Sequence, residues 1–153
     1  MKTVITFGTF DMFHYGHVRI LERAREHGDT LIVGLSTDEF NLTKKNRRPI
    51  FNYEHRKSIL ESLRCVDKVF PEESMELKDQ YVREHMADLM VMGDDWKGAF
   101  DSNVSVPVHY LERTPTLSTT DYIKNIIVNS KMLVLIIIDF FNPKILNIKC
   151  WYN

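Results

Sequence analysis

Short apolar runs alternate along this chain with segments of helical spacing. Val4–Phe7, Leu31–Leu35, Lys68–Phe70, Leu89–Met92 and Val106–Leu111 read as strands. Leu31–Leu35 is apolar without alternation, the pattern of a strand buried on both faces. Helical patterns separate these runs. In Val18–His27, Ile20, Leu21 and Ala24 fall on one side, with Arg19, Glu22, Arg23 and Glu26 mostly on the other. Gly28 then stands where a helix C′ residue belongs. Asp38 is placed to cap a short helix. Asn52 is placed to cap one over Tyr53–Leu63, with Ile59, Leu60 and Leu63 inward. Glu76–His85 also reads as helix. Ser118-Thr119-Thr120-Asp121 has the form of a capping box before a helix at Tyr122–Val128. Strand and helix in alternation predict an α/β fold, a parallel sheet flanked by helices with right-handed crossovers.

Size and charge narrow the function. The chain has 153 residues, 44% apolar and 27% charged, with a formal net charge of −1. That suits a single globular core and supplies no global basic field for nucleic acid. Cys65 and Cys150 are far apart and form neither metal-type spacing nor a disulfide framework. The N-terminus turns strand-like at once and shows no signal-peptide pattern, so a cytoplasmic setting is expected. No Gly-x-x-x-x-Gly-Lys run is present, which argues against a P-loop NTPase.

The candidate chemistry begins where the first strand turns into the first helix. Gly8-Thr9-Phe10-Asp11-Met12-Phe13-His14-Tyr15-Gly16-His17 lies at that junction, the place where α/β sheets bind ligands and where a helix N-terminus favours anions. His14 and His17 are spaced to face one bound group. Gly16 allows close approach, and Gly8 and Thr9 offer backbone N–H groups to phosphate. Taken alone, such a histidine pair is more often structural. A second anion site is indicated late in the chain. Arg113 offers a planar fork for phosphate oxygens, and the N–H groups and hydroxyls of Ser118, Thr119 and Thr120 open a helix. Lys44, Lys45, Arg47 and Arg48 form a basic loop. Asp11, Asp94 and Asp95 are acidic positions near the strand ends, of which Asp94 is the better candidate for nucleoside contact. Trp96 stands beside them, either near a base or packing at the rim.

The His-x-Gly-His arrangement resembles the signature of the nucleotidylyltransferase superfamily. Three further segments narrow the resemblance: Ser36-Thr37-Asp38-Glu39-Phe40-Asn41, Val91-Met92-Gly93-Asp94-Asp95-Trp96-Lys97-Gly98, and Arg113-Thr114-Pro115-Thr116-Leu117-Ser118-Thr119-Thr120. In this order and spacing, over roughly residues 1–127, they resemble the bacterial glycerol-3-phosphate cytidylyltransferase family. The resemblance implies a Rossmann-like sheet of nucleotidylyltransferase type. It implies transfer of CMP from CTP to sn-glycerol 3-phosphate, giving CDP-glycerol and pyrophosphate for teichoic-acid-type polymers. By the same resemblance His14, His17, Lys44 and Arg113 are catalytic. Gly8, Thr9, Phe10, Asp11, Tyr15, Gly16, Asp94, Thr114, Ser118, Thr119 and Thr120 join His14, His17 and Arg113 around the nucleotide. Lys44, Arg64 and Lys78 meet the acceptor, while Arg56 serves a subunit contact. Mg2+ is implied, without assignable ligands, as is a homodimer. The chain departs from the family where a second loop lysine would fall on Asn46, so Lys45 or Arg47 substitutes, and the loop Asn46–Asn52 is one residue longer than expected. Two alternatives remain: another phosphorylated alcohol as acceptor (phosphoethanolamine, phosphocholine or a polyol phosphate), or a non-catalytic nucleotide-binding module.

These readings place a catalytic domain over residues 1–130 and an atypical tail over 131–153. The tail carries Met132-Leu133-Val134-Leu135-Ile136-Ile137-Ile138, too short to span a bilayer. A shifted or read-through reading frame is the favoured origin, with a membrane-peripheral segment as the alternative.

Overall fold

The computed structural model of the protein describes residues 1–112 and 122–131. The chain divides into two compact units, residues 1–116 and 117–153. In the second unit residues 122–131 are helical, so the late helix is present. Its expected cap, Ser118–Asp121, and the tail beyond Lys131 lie outside the described residues.

In the first unit five strands form one sheet: β1 Thr3–Gly8, β2 Thr30–Ser36, β3 Lys68–Glu72, β4 Leu89–Gly93 and β5 Val108–Leu111. Their order is β3-β2-β1-β4-β5, and every neighbouring pair is parallel. Helices α1 Tyr15–Arg25, α2 Asp38–Lys45, α3 Tyr53–Glu61 and α4 Lys78–Glu84 connect them. The expected α/β architecture is therefore the one that forms. The chain adds strands outward from β1 to β3, then returns to place β4 on the other side of β1. This reversal opens a crevice at the carboxyl ends of β1 and β4, the switch point at which such sheets hold ligands.

Alternation along the strands divides the core in two. Val4, Leu31, Val33, Leu35, Val69, Leu89 and Val91 pack with Leu21 and Ala24 of α1 and Leu60 of α3. Ile5, Phe7, Ile32, Phe70 and Met90 pack on the other face with Tyr81 and Val82 of α4. Both faces of β2 are covered, as its unbroken apolar run predicts. Phe7 leans across its register partner Gly34. A Cβ on Gly34 would stand 2.3 Å from the Phe7 ring.

Several boundaries differ from expectation for local reasons. The α1 helix begins at Tyr15, earlier than Val18, because His14 caps it. Gly28 is not a left-handed C′ residue. Its Cβ would meet Lys2 O at 2.6 Å, so glycine there permits close packing on the chain entering β1. Thr37, not Asp38, caps α2, its hydroxyl accepting from Phe40 N at 3.1 Å. Asn52 caps α3 as expected, accepting from His55 N at 2.9 Å. β3 runs on through Pro71 to Glu72, which an edge strand tolerates.

The Phe7–Gly34 contact leaves no room for a methyl group. Gly34→Ala is expected to destabilise the protein by about 1–3 kcal/mol through overpacking. Urea unfolding of the variant against the wild type measures this.

Candidate active site

The loop from β1 to α1 is held in an unusual shape. Phe10 and Met12 both adopt left-handed backbone, with φ of 49° and 46°, a conformation that costs non-glycine residues about 1–2 kcal/mol each. Asp11, between them, spreads its carboxylate over three backbone N–H groups. Oδ1 accepts from Met12 and Phe51 at 3.0 Å each, and Oδ2 accepts from Ile50 at 2.9 Å. The carboxylate thus ties the motif to the segment before α3. Gly8 packs under the Phe10 ring, which a Cβ would meet at 2.8 Å.

His14 and His17 are brought together at the start of α1. Their rings stack with centroids 3.8 Å apart and planes 24° apart. Nδ1 of His14 accepts from Gly16 N at 3.1 Å, and His14 N donates to Nδ1 of His17 at 3.4 Å. Neutral imidazole accepts at one nitrogen and donates at the other. Both backbone contacts therefore select the tautomer whose donor is Nε2–H. Phe10 and Phe13 close around His17, at 5.3 and 5.4 Å between ring centroids. Burial, then His14, push the His17 pKa down to about 3; Asp11 opposes the shift and Lys45 adds to it. At neutral pH His17 is an uncharged hydrogen-bond donor. Tyr15 is exposed beside it, and Gly16 contributes its N–H to the cap.

Arg56 is fully buried and locks this end of the sheet. Nη1 donates to Thr9 O at 2.6 Å and Ser36 O at 2.9 Å, Nε donates to Phe51 O at 2.9 Å, and Nη2 meets Asp38 Oδ1 at 2.6 Å. A guanidinium with no exposed surface does not serve a subunit contact, so that expectation for Arg56 is corrected. Asp38 is free for this pairing because Thr37 performs the capping.

The basic loop divides. Asn46 takes a left-handed conformation, φ 52°, and ends α2 as its C-cap. Lys44 places its ammonium over the rings of Phe40 and Trp96, at 4.7 and 5.8 Å from the centroids. Burial lowers its pKa, and Glu72 opposes this. Lys45 instead turns toward β1. Its Nζ donates to Thr9 Oγ1 at 3.2 Å, and that hydroxyl donates to Oδ1 of buried Asn41 at 2.7 Å. Desolvation, then Lys44 and Arg47, lower the Lys45 pKa. Arg48 pairs outward with Glu39 at 3.3 Å, both well exposed. Lys45, rather than Arg47, is the second basic residue held at the β1 end.

Lys78 is buried, 3% exposed, and ion-pairs with Glu72, the last residue of β3. Glu72 also accepts from Ser36 Oγ at 2.6 Å. Burial lowers the Lys78 pKa to about 8 against the pull of Glu72. Arg64 is not brought to the site. It stands exposed in the turn after α3. That helix starts by the β1 and β2 ends, where Arg56 binds, and returns the chain to the start of β2, where Asp67 N donates to Leu31 O. Acceptor contact by Arg64 within one chain is therefore corrected. Asp94 begins a short 3-10 turn, Asp94–Trp96, at the carboxyl end of β4 and is exposed. Arg113, Thr114, Ser118, Thr119 and Thr120 lie outside the described residues; the preceding Glu112 O accepts from Arg23 of α1 at 2.7 Å.

Sequence reading missed Asn41 and Glu72, and misassigned Arg56. Asn41 lies in α2 four residues before Lys45, a spacing that marks a shared helix face; Glu72 follows a proline and carries no motif. Among the described residues no group of three or more His, Cys, Asp or Glu side chains is arranged to hold a metal ion. Asp11 in particular is committed to backbone N–H groups.

With this geometry in place, the relatives of the chain are informative. Residues 5–125 match the cytidylyltransferase-like family model. The chain is 53% identical over 121 residues to the glycerol-3-phosphate cytidylyltransferase of Bacillus subtilis strain 168, covering 78% of this chain and 93% of that one. It is 51% identical over 121 residues to the enzyme of the same name from Staphylococcus aureus strain NCTC 8325, covering 78% and 91%. Among solved structures it resembles the lipopolysaccharide core biosynthesis protein of Thermoplasma volcanium GSS1, with a TM-score of 0.65 at 24% identity over 76% of this chain and 99% of that one. That likeness shows the fold.

The enclosure of His17 carries a spectroscopic consequence. Its folded pKa lies below the ordinary histidine value, so it remains neutral at all pH values above about 3. NMR of the imidazole nitrogens is expected to show an unprotonated Nδ1 and a protonated Nε2 from about pH 8 to about pH 5, with no titration near 6.5.

Proposed function

The chain belongs to the cytidylyltransferase-like family, and we infer that it transfers CMP from CTP to sn-glycerol 3-phosphate, releasing pyrophosphate and forming CDP-glycerol. The identity of just over half with relatives named for that reaction supports the acceptor. The observation that carries the chemistry is the stacked His14–His17 pair, with two Nε2 donors fixed by backbone at a helix N-terminus on the sheet's switch point.

The reaction asks little covalent help from the protein. A phosphate oxygen of the acceptor attacks the α-phosphorus of CTP in line, the bond to the β-phosphate oxygen breaks, and pyrophosphate leaves with that electron pair. Catalysis is then positioning and stabilisation of charge growing on the phosphates. In this reading His14 and His17 donate to the phosphates of CTP. Thr9, Gly8, Tyr15 and Gly16 line the same loop, and Asp94 stands at the neighbouring strand end for the nucleoside. By the family resemblance Arg113, Thr114, Ser118, Thr119 and Thr120, outside the described residues, are proposed to bind the triphosphate as well. Lys44 and Lys78 face the acceptor. Because the described residues form no metal cage, Mg2+ is proposed to arrive with the triphosphate, where it neutralises phosphate charge.

A homodimer and a cytoplasmic setting are proposed from the family resemblance. No helix among the described residues is long and apolar enough to cross a membrane.

Pyrophosphate release, measured with CTP or ATP against a panel of phosphorylated alcohols, tests the reading. CTP with sn-glycerol 3-phosphate is expected to give the highest kcat/KM. Preference for phosphoethanolamine, phosphocholine or another polyol phosphate overturns the acceptor; silence with every pair overturns the activity and favours a nucleotide-binding module.

The same assay separates the basic residues. Lys45→Ala is expected to lower kcat by on the order of 100-fold, as loss of one preorganised charged donor does, because its ammonium is held on Thr9 and acts on His17. Arg47→Ala is expected to stay within about twofold of wild type. Reversal of these two effects would place Arg47 at the phosphates.

A further inference from the structure

The Glu72–Lys78 pair has no stability rationale of its own. Glu72 is 1% and Lys78 3% exposed, and a buried ion pair often stabilises a fold less than apolar residues of similar size would. Its position is more informative than its energy. Glu72 ends β3 at the sheet edge where the site forms, and its backbone carbonyl accepts from Thr37 N at the start of α2. The carboxylate is pinned on both sides, by the Ser36 hydroxyl and by the Lys78 ammonium. That ammonium rests on the Phe7 ring, 3.7 Å from its centroid, with Phe100 at 5.5 Å. Trp96, which flanks Lys44, is in ring contact with the same Phe100 at 5.6 Å. Lys44 and Lys78 therefore belong to one aromatic-walled cluster, and Glu72 is the carboxylate that acts on both.

We propose that Glu72 is a positioning residue for the acceptor: held by Ser36, it fixes the Lys78 ammonium beside Lys44, so that the two lysines seat the phosphate of a small phosphomonoester. The proposal rests on the acceptor reading given above. Two cations share one carboxylate, so the cluster carries an excess positive charge that a phosphate completes. An ammonium has three donors. Among the described residues Glu72 is the only hydrogen-bond partner of the Lys78 ammonium, with Phe7 under the cation, so a donor direction remains for an incoming oxygen. Ser36 restrains the carboxylate from the side opposite that bond.

Glu72 also keeps Lys78 charged. The titratable groups that act on Lys78 are Glu72 from β3 and Lys44 from α2; Phe7 and Phe100, packed on it from β1 and the loop after β4, do not titrate. Tyr81 of α4 senses Glu72 as well. Burial has already brought Lys78 down to about 8, and Glu72 holds it up. Removing the carboxylate charge lowers it further, so Lys78 would lose its proton nearer neutral pH.

Three variants test this: Glu72→Gln, Lys78→Met, and the paired Glu72→Leu with Lys78→Met. Binding of sn-glycerol 3-phosphate by calorimetry, KM for each substrate and the pH dependence of kcat/KM are measured, with Tm alongside. Glu72→Gln is expected to raise Kd and KM for the acceptor about tenfold or more, to leave KM for CTP within about twofold, and to move the alkaline limb for the acceptor to lower pH. The paired variant is expected to keep or raise Tm while showing the same acceptor defect. A paired variant with wild-type acceptor affinity would make the pair purely structural and overturn the proposal. So would an equal rise in both KM values, or an alkaline limb that does not move. If the wild type itself binds no sn-glycerol 3-phosphate, the acceptor reading fails first, and the two failures are thus told apart.

Discussion

Arg56 is the constraint on which the rest of the site depends. One guanidinium reaches the carbonyls that follow β1 and end β2, the carbonyl before α3 and the carboxylate that opens α2. These groups gather at the carboxyl end of the sheet, where β1 and β2 give way to α2 and α3. A planar fork with five donors can serve all four at once, and a lysine, with three donors around a point, cannot. Removing one member of such a buried charged pair costs roughly 3–5 kcal/mol, because the partner stays buried and uncompensated. The geometric effect is larger than the energetic one. By fixing the start of α2 against Thr9, Arg56 sets where the far end of that short helix points, and Lys44 and Lys45 are its last residues. The lysines are thus aimed by an interaction at the other end of their helix.

The histidine pair depends on a second constraint, the shape of the loop before it. Left-handed backbone at Phe10 and Met12 is unfavourable for residues with side chains. Asp11 offsets it by accepting three N–H groups, two of them from the segment leading into α3. The result presents Phe10 and Phe13 to His17, so the same strained turn that forms the loop also supplies the apolar wall that keeps the imidazole neutral. In the proposed reaction a neutral donor suits phosphates that Lys44 and Lys45 also approach. It directs a hydrogen bond without adding a third positive charge beside Lys45, whose pKa desolvation and then Lys44 and Arg47 already lower.

The fold was legible in the sequence because its signals are local. Unbroken apolar runs mark buried parallel strands, and Asn52 marks a helix start with no tertiary help. Where tertiary contacts decided, the sequence misled. Thr37 and Asp38 are both good caps by type, and the tertiary partners of the Asp38 carboxylate, Arg56 and the N–H of Tyr53, assign it elsewhere. Gly28 satisfies the pattern of a C′ residue, yet its lack of a Cβ is needed by the entering chain, a contact no spacing reveals. Arg56 and Arg64 fall on one helix and its following turn, and the expected roles, Arg64 at the acceptor and Arg56 at a subunit contact, do not match where the fold places them. Their fates differ because α3 runs back along the sheet, carrying Arg64 away from the end where Arg56 is buried. The histidine pair was legible because its two members are close in sequence. Glu72, Ser36 and Lys78 converge from three separate elements and leave no such mark.

The departure at Asn46 shows how a change in one residue type is absorbed. A helix that continued through this position would turn its next side chain about 100° further around the axis. Here Asn46 takes the left-handed conformation and stops α2. Lys44 and Lys45 are the last two residues of α2 and, being adjacent, point about 100° apart, so they are aimed in different directions. Lys44 goes to the Phe40–Trp96 wall beside Glu72 and Lys78. Lys45 goes to Thr9, whose hydroxyl can accept from it because its own proton is committed to Asn41. In the proposed reaction these directions correspond to the two phosphates that must meet. The acceptor phosphate lies on the Lys44 side and the nucleotide phosphates on the side of Lys45 and His17. A single helix terminus then positions charge on both partners of the transfer, and its orientation is set by the buried Arg56–Asp38 bond at its opposite end.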